Sequence, residues 1–298
     1  MPFSIRSHLL NCWRIIFAGL VLALLGACST TKLAYTNGHE LAWWRLSDYI
    51  DVQGEDRTTL RRAVHQMHDW HRREQLASYV ELLQRWQPQF AGDLPPESAC
   101  RLVDEVMQRA AELPGLMQAL DTPALQLLSR LSPRQLAEME RQFAKSNRKF
   151  RDKYIDVSPQ ELLDVRVDAG LSRAQWIYGS LGRQQEQALR TALAAAPWDT
   201  RESYSWRLRR QQDVLQTLRE LSQSQASPEV ARSTLRALLL RMIDPQEPAE
   251  RARVLAMRQQ GCQIMALLHA STTASQRAKA QDNLRTSALD LRALLPPR

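Results

Sequence analysis

Apolar positions recur at intervals of three and four residues along most of the chain. Leu136, Met139, Phe143, Asn147, Phe150 and Tyr154 fall on one stripe, and Leu163, Val167, Gly170, Ala174, Ile177 and Leu181 on another. That period belongs to helices with one face turned to a core, so the stripes read as packing surfaces rather than ligand faces. Gly170 and Ala174 are small enough to let a neighbouring helix approach closely. Helix starts are marked by Ser132-Pro133, Ser158-Pro159 and Ser227-Pro228: serine caps free backbone N–H groups, and proline in the first turn gives up no hydrogen bond. Ser158 with Glu161 and Thr273 with Gln276 also fit the reciprocal capping box. Breaks are predicted at 93–96, near Leu113-Pro114-Gly115, around Asp121-Thr122-Pro123, at Pro197-Trp198-Asp199 and at 244–248. No segment alternates apolar and polar residues between glycine-rich turns. The expected fold is all-α, with about nine amphipathic helices packed as antiparallel hairpins over residues 38–298, and a weak boundary near residue 197 separating two lobes.

The N-terminus departs from this pattern. Arg6 and Arg14 precede an apolar run from Ile15 to Leu25, with no acidic residue before position 28. The run is too short for the ~20 residues a spanning helix needs, and reads as the apolar region of a cleavable signal. Leu25-Gly26-Ala27-Cys28 resembles the lipobox of bacterial lipoprotein precursors, which implies cleavage after residue 27 and diacylation of Cys28. At ~0.8 kcal/mol per buried methylene, two or three acyl chains amount to permanent membrane attachment. By the same resemblance, Ser29 in place of aspartate implies an outer-membrane anchor facing the periplasm. Residues 28–37 are then expected to be a short lipidated tether.

Composition fits helices, with only 10 glycines in 298 residues against a typical share of ~7 %. Loss of residues 1–27 removes two arginines and no acid, lowering the formal net charge from +8 to +6. Both signs are interleaved along the helices, the usual pattern of a solvated surface. An envelope compartment offers little nucleic acid, so the partners to expect are a membrane, an envelope protein or an anionic glycan. Of four cysteines, Cys12 leaves with the signal and Cys28 carries lipid. Cys100 and Cys262 remain, either bridged in an oxidising compartment or buried separately as small apolar groups.

Candidate chemistry concentrates in two stretches. His65, His68 and His71 recur at i, i+3 beside Trp70, Arg72 and Tyr79. Successive steps of three turn around a helix, so His65 and His71 diverge by ~120° and one helix cannot aim all three at a single ion; no metal site and no cofactor is expected. Trp70, His71, Arg72 and Tyr79 have the planar and cationic groups that stack on sugars and clamp phosphates, and equally those that anchor a core. Arg141, Lys145, Arg148, Lys149, Arg151 and Lys153 form the densest basic run, with Lys145, Arg148 and Lys149 as its candidate anion-binding centre. Glu97-Ser98 followed by Gly115-Leu116-Met117-Gln118 looks like the landmarks of lytic transglycosylases, in which a lone glutamate is general acid and base. The glycine-rich turn that shapes that groove is absent between Glu97 and Gly115. No nucleophile elbow, zinc-protease, dithiol or phosphate-loop motif occurs.

Several segments are similar to a family of uncharacterised helical lipoproteins of Gram-negative bacteria. They are Leu33-Ala34-Tyr35-Thr36-Asn37, Trp43 through Asp51, Trp70 through Tyr79, Leu131 through Leu136, and Asn147-Arg148-Lys149-Phe150 with Tyr154. Where such proteins tend to show Leu-Thr-x-x-Gln after the Asp-Tyr segment, this chain has Val52-Gln53-Gly54-Glu55-Asp56. The resemblance implies a helical domain of unknown function and supplies no catalytic residue. Leu131-Ser132 with Gln135 also resembles a motif of small periplasmic helical chaperones. The expectation is a non-enzymatic, outer-membrane-anchored interaction or chaperone-like scaffold module. The alternative is a binder of anionic glycolipid or peptidoglycan through the basic and aromatic helix faces.

Overall fold

The computed structural model of the chain describes residues 30–297; the expected signal segment and Cys28 lie outside the described residues. Those residues form thirteen α-helices and no strand. In chain order they are α1 (Thr30–Thr36), α2 (Gly38–Ser47), α3 (Gly54–Glu74), α4 (Leu76–Trp86), α5 (Pro96–Ala110), α6 (Thr122–Leu128) and α7 (Pro133–Tyr154). There follow α8 (Pro159–Tyr178), α9 (Arg183–Ala195), α10 (Thr200–Ser224), α11 (Pro228–Ile243), α12 (Pro248–Ala270) and α13 (Ala274–Arg292). Two 3-10 segments, Gln87–Phe90 and Leu113–Ala119, complete the set. The all-α expectation is met, but the count exceeds nine. α1 and α6 have seven residues each, too few turns to show a period, and one apolar-periodic run is split into α3 and α4 at the buried Gln75. The segment expected to be a tether is helical from Thr30 and packs on α13.

The caps act where serine and threonine were placed. Ser158 Oγ accepts from the Glu161 N–H at 3.2 Å while the Glu161 carboxylate accepts from the Ser158 N–H at 2.8 Å, and Thr273 with Gln276 repeats the arrangement. These bonds hold the Glu161 carboxyl below its ordinary range. At α7, Gln135 Oε1 accepts from the Ser132 N–H at 2.8 Å, and Gln135 Nε2 donates to the Asp51 carbonyl at 3.0 Å. Arg134 pairs with the Asp51 carboxylate at 2.7 Å. The Leu-Ser-x-x-Gln motif is thereby spent inside the fold, clamping the start of α7 to the loop before α3. That loop leads into α3 through Gly54 at φ +54°, a left-handed conformation that favours glycine, and Gln53 provides no side-chain cap.

Two apolar cores form, and the chain weaves between them. The first gathers Trp43, Leu60, Val64, Met117, Leu125, Leu136, Met139, Leu218 and Leu235; the second gathers Phe90, Leu102, Ala174, Tyr178, Cys262, Ala266 and Leu284. Both draw on residues either side of Pro197, so the break between α9 and α10 does not divide the core into lobes. Where α8 meets α9, a Cβ on Gly170 would lie 3.2 Å from Leu189 and 3.3 Å from Leu193, the close approach expected there. Cys100 on α5 and Cys262 on α12 are joined as a disulfide, with Cα atoms 5.0 Å apart.

Candidate functional site

Four histidines meet where α1 and α2 lie against α3. His65, His68 and His71 diverge around α3 as the spacing requires, and α2 brings His39 to face the first two. The His39 ring lies 4.2 Å from that of His65 and 5.2 Å from that of His68, centroid to centroid. Tyr35 on α1 extends the series: its carbonyl accepts from His68 Nε2 at 3.0 Å, and its hydroxyl bonds His71 Nδ1 at 2.9 Å. Tyr79 on α4 packs beyond, 5.4 Å from the His71 ring. Burial, and secondarily the neighbouring His68, pushes the His71 imidazole below its usual value, favouring the neutral ring. Burial pushes the Tyr35 hydroxyl up to about 12 against the pull of Arg72, and raises Tyr79 as well. Beside the series opens an apolar cavity of about 530 Å³, lined by Ala42, Leu46, Tyr49, Val64, Met67 and Leu116 among others.

Of the residues expected to stack on a sugar or clamp a phosphate, Trp70 and Arg72 are engaged elsewhere. The Trp70 ring lies so close over Gly115 that a Cβ there would meet its Cζ2 at 2.7 Å. Arg72 Nε donates to the Leu294 carbonyl beyond α13. Both contacts tie the α3–α4 segment to the rest of the molecule, while Arg72 also lines a small pocket with Tyr35, His65 and His68.

Lys145, Arg148 and Lys149 have the opposite fate. All three are exposed on α7, and none has a carboxylate within ion-pair distance among the described residues. Their neighbours in the basic run are occupied: Arg141 pairs with Glu138, Arg151 with Asp156 at 3.0 Å, and Lys153 lies over the Tyr154 ring. On the inner side of the same helix, Asn147 is buried and bonded reciprocally to Gln211, and its Oδ1 accepts from Arg207 Nε at 2.8 Å.

Next to that network lies a cavity of about 420 Å³ that the apolar period does not reveal. Phe143, Phe150, Trp198, Trp206, Met242 and Met257 line it, and Arg207 and Arg210 stand at its wall. The Arg207 guanidinium sits over the Phe150 ring at 5.5 Å and that of Arg210 over Trp206 at 4.7 Å, so both cations are held by aromatic faces. Burial lowers the Arg210 pKa without discharging it. The available sequence signal was Trp206 with Arg207 next to it and Arg210 four residues on, which helical spacing alone does not join to α7.

A larger open cleft, about 840 Å³, runs between α5 and α12 beside the disulfide. Glu97 stands at it, exposed on the first turn of α5. Asp104, on the same wall, is paired with Arg258 at 3.2 Å.

A family model described as a family of unknown function, DUF6279, matches residues 48–239. The chain belongs to that family. The matched span takes in α3 through most of α11, hence the basic run and most of the aromatic cavity. His39, Cys262, His269 and the whole of α12 and α13 lie beyond it. No curated protein and no solved structure matches the chain.

Proposed function

We propose that this chain is a lipid-anchored, non-enzymatic binding module of the Gram-negative envelope, held by Cys28 at the periplasmic face of the outer membrane and engaging an envelope protein. The observation that carries the binding half is the open cavity walled by Phe143, Phe150, Trp198, Trp206, Met242 and Met257, large apolar and polarizable side chains of the kind that a partner's side chains would cover. Methionine adds adaptability to such a surface. The anchoring half is supported by the lipobox-like tetrad and by Leu33, Leu41 and Trp44, which are 59, 59 and 64 % exposed on the first two described helices after Cys28. Among the described residues no helix is long and apolar enough to cross a membrane.

A photo-crosslinking amino acid at Met257 in the full chain, expressed in cells, tests both halves. A discrete protein adduct is expected with the native anchor, and Cys28→Ala should leave an unprocessed or soluble product. Absence of any discrete adduct ends the binding half; unchanged processing and membrane fractionation of Cys28→Ala ends the anchoring half.

A second reading, binding of an anionic glycolipid or peptidoglycan fragment, is favoured by one arrangement. Arg207 and Arg210 stand at the aromatic cavity, and Lys145, Arg148 and Lys149, without an ion-pair partner among the described residues, lie on the outer face of the helix that supplies Phe143 and Phe150. Binding of such a ligand should weaken steeply with salt and on reversing Arg148 and Lys149 to glutamate. Salt-insensitive binding would count against it.

A further inference from the structure

His39, Glu40 and His65 form a group unlike the other titratable clusters. His68, His71 and His269 each make hydrogen bonds through ring nitrogens. Among the described residues His39 and His65 make none, although both rings face the Glu40 carboxylate. His39 Nε2 stands 3.5 Å from Glu40 Oε1, and His65 Nε2 stands 3.7 Å from the same oxygen. One ligand atom from each of the three side chains lies within 4.8 Å of the others. Zinc with bonds of 2.0–2.1 Å in a tetrahedron places its ligand atoms ~3.3–3.4 Å apart, so two edges of the triangle nearly match and small rotamer adjustments close the third.

We propose that His39, Glu40 and His65 bind a divalent ion of the zinc and copper class, with water at the position left open to solvent. Two neutral imidazoles and one carboxylate suit these ions rather than calcium or magnesium, which take oxygen ligands. The ion would join α2 to α3 beside the bonds that Tyr35 on α1 makes to His68 and His71, and so fix the first described helices to the body of the domain. Arg61 bears on the charge balance. Its guanidinium donates to Glu40 Oε1 at 2.7 Å and is the leading cause of that carboxyl's depressed pKa. This cation competes with the metal for the same oxygen, and it is half-exposed, free to leave for solvent. His68, one turn beyond His65, is committed to the Tyr35 carbonyl and is not a ligand in this arrangement.

The test is calorimetric titration of the full chain, purified in detergent, with zinc chloride and separately with copper chloride at neutral pH. Saturable binding of one equivalent is expected, with a rise in Tm. Binding should weaken by at least about tenfold in His39→Ala, in His65→Ala and in Glu40→Gln. Arg61→Ala should tighten it, a direction that general loss of structure would not produce. Substitution with cobalt supplies a second readout, since visible absorption of a four-coordinate ion should be lost with either imidazole. Absence of one-equivalent binding, or binding undiminished in both histidine variants, overturns the proposal.

Discussion

His269 shows how one buried side chain writes a pH dependence into the fold. It is fully buried; Nε2 bonds the Gly92 carbonyl at 2.8 Å and Nδ1 bonds the Tyr178 hydroxyl at 2.9 Å. A carbonyl only accepts, so Nε2 carries the hydrogen and Nδ1 receives that of the tyrosine, which is the neutral ring. Burial, outweighing the Gly92 bond, lowers its pKa below the ordinary 6.5. The unfolded chain therefore takes up the proton first as the solution is acidified, and stability is lost as pH falls from 6.5 through the lower folded value. His71 is shifted in the same direction. The urea midpoint of the full chain should fall between pH 7 and pH 5, and less so in His269→Gln. An equal fall in both proteins would show that His269 is not responsible.

Helix contacts place the aromatic cavity, and the joint between α7 and α10 is its frame. Arg207 and Gln211 from α10 converge on Asn147 from α7, and Arg207 also donates to Ser146 Oγ at 2.6 Å. Asn147 is buried, and its removal takes a hydrogen-bond partner from each of the half-buried Arg207 and Gln211. Asn147→Ala should cost about 1–3 kcal/mol in urea unfolding and couple to Gln211→Ala by more than the error of simple addition. Additive losses would mean that the network does not act as a unit. Asn147 was legible as a member of the α7 stripe, but its partners were not: they lie 60 and 64 residues away in sequence, and the helical period says only which side of α10 is inward.

For the whole molecule, the disulfide is the longest covalent constraint. It spans 162 residues and joins α5 to α12 within the second core. In the chain-entropy model a loop of that length is worth about 5 kcal/mol, a value that native strain and residual denatured structure reduce in practice. Replacing both cysteines by alanine should lower the unfolding free energy by about 2–5 kcal/mol relative to the oxidised chain. Unchanged stability would show that the cross-link contributes nothing to folding. Since both cores draw on segments from either side of Pro197, unfolding should proceed as one transition rather than two, by circular dichroism and fluorescence alike.

Local chemistry alone determined the helical class of this chain, its serine, threonine and proline helix starts, and its breaks at proline and glycine. Each depends on residues within one turn of one another, and cap bonds and helical periods form whatever lies across the core. The short helices α1 and α6 were missed because seven residues give too few repeats to show a period. Tertiary structure alone decided which distant groups meet: His39 opposite His65, Arg207 on Asn147, Cys100 beside Cys262, Trp70 over Gly115. It also decided that Trp70 lies over Gly115 and Arg72 reaches the Leu294 carbonyl, while Lys145, Arg148 and Lys149 have no ion-pair partner among the described residues. Those outcomes depend on how helices far apart in sequence are laid against one another, and the periodicity of any single helix is silent about its neighbour.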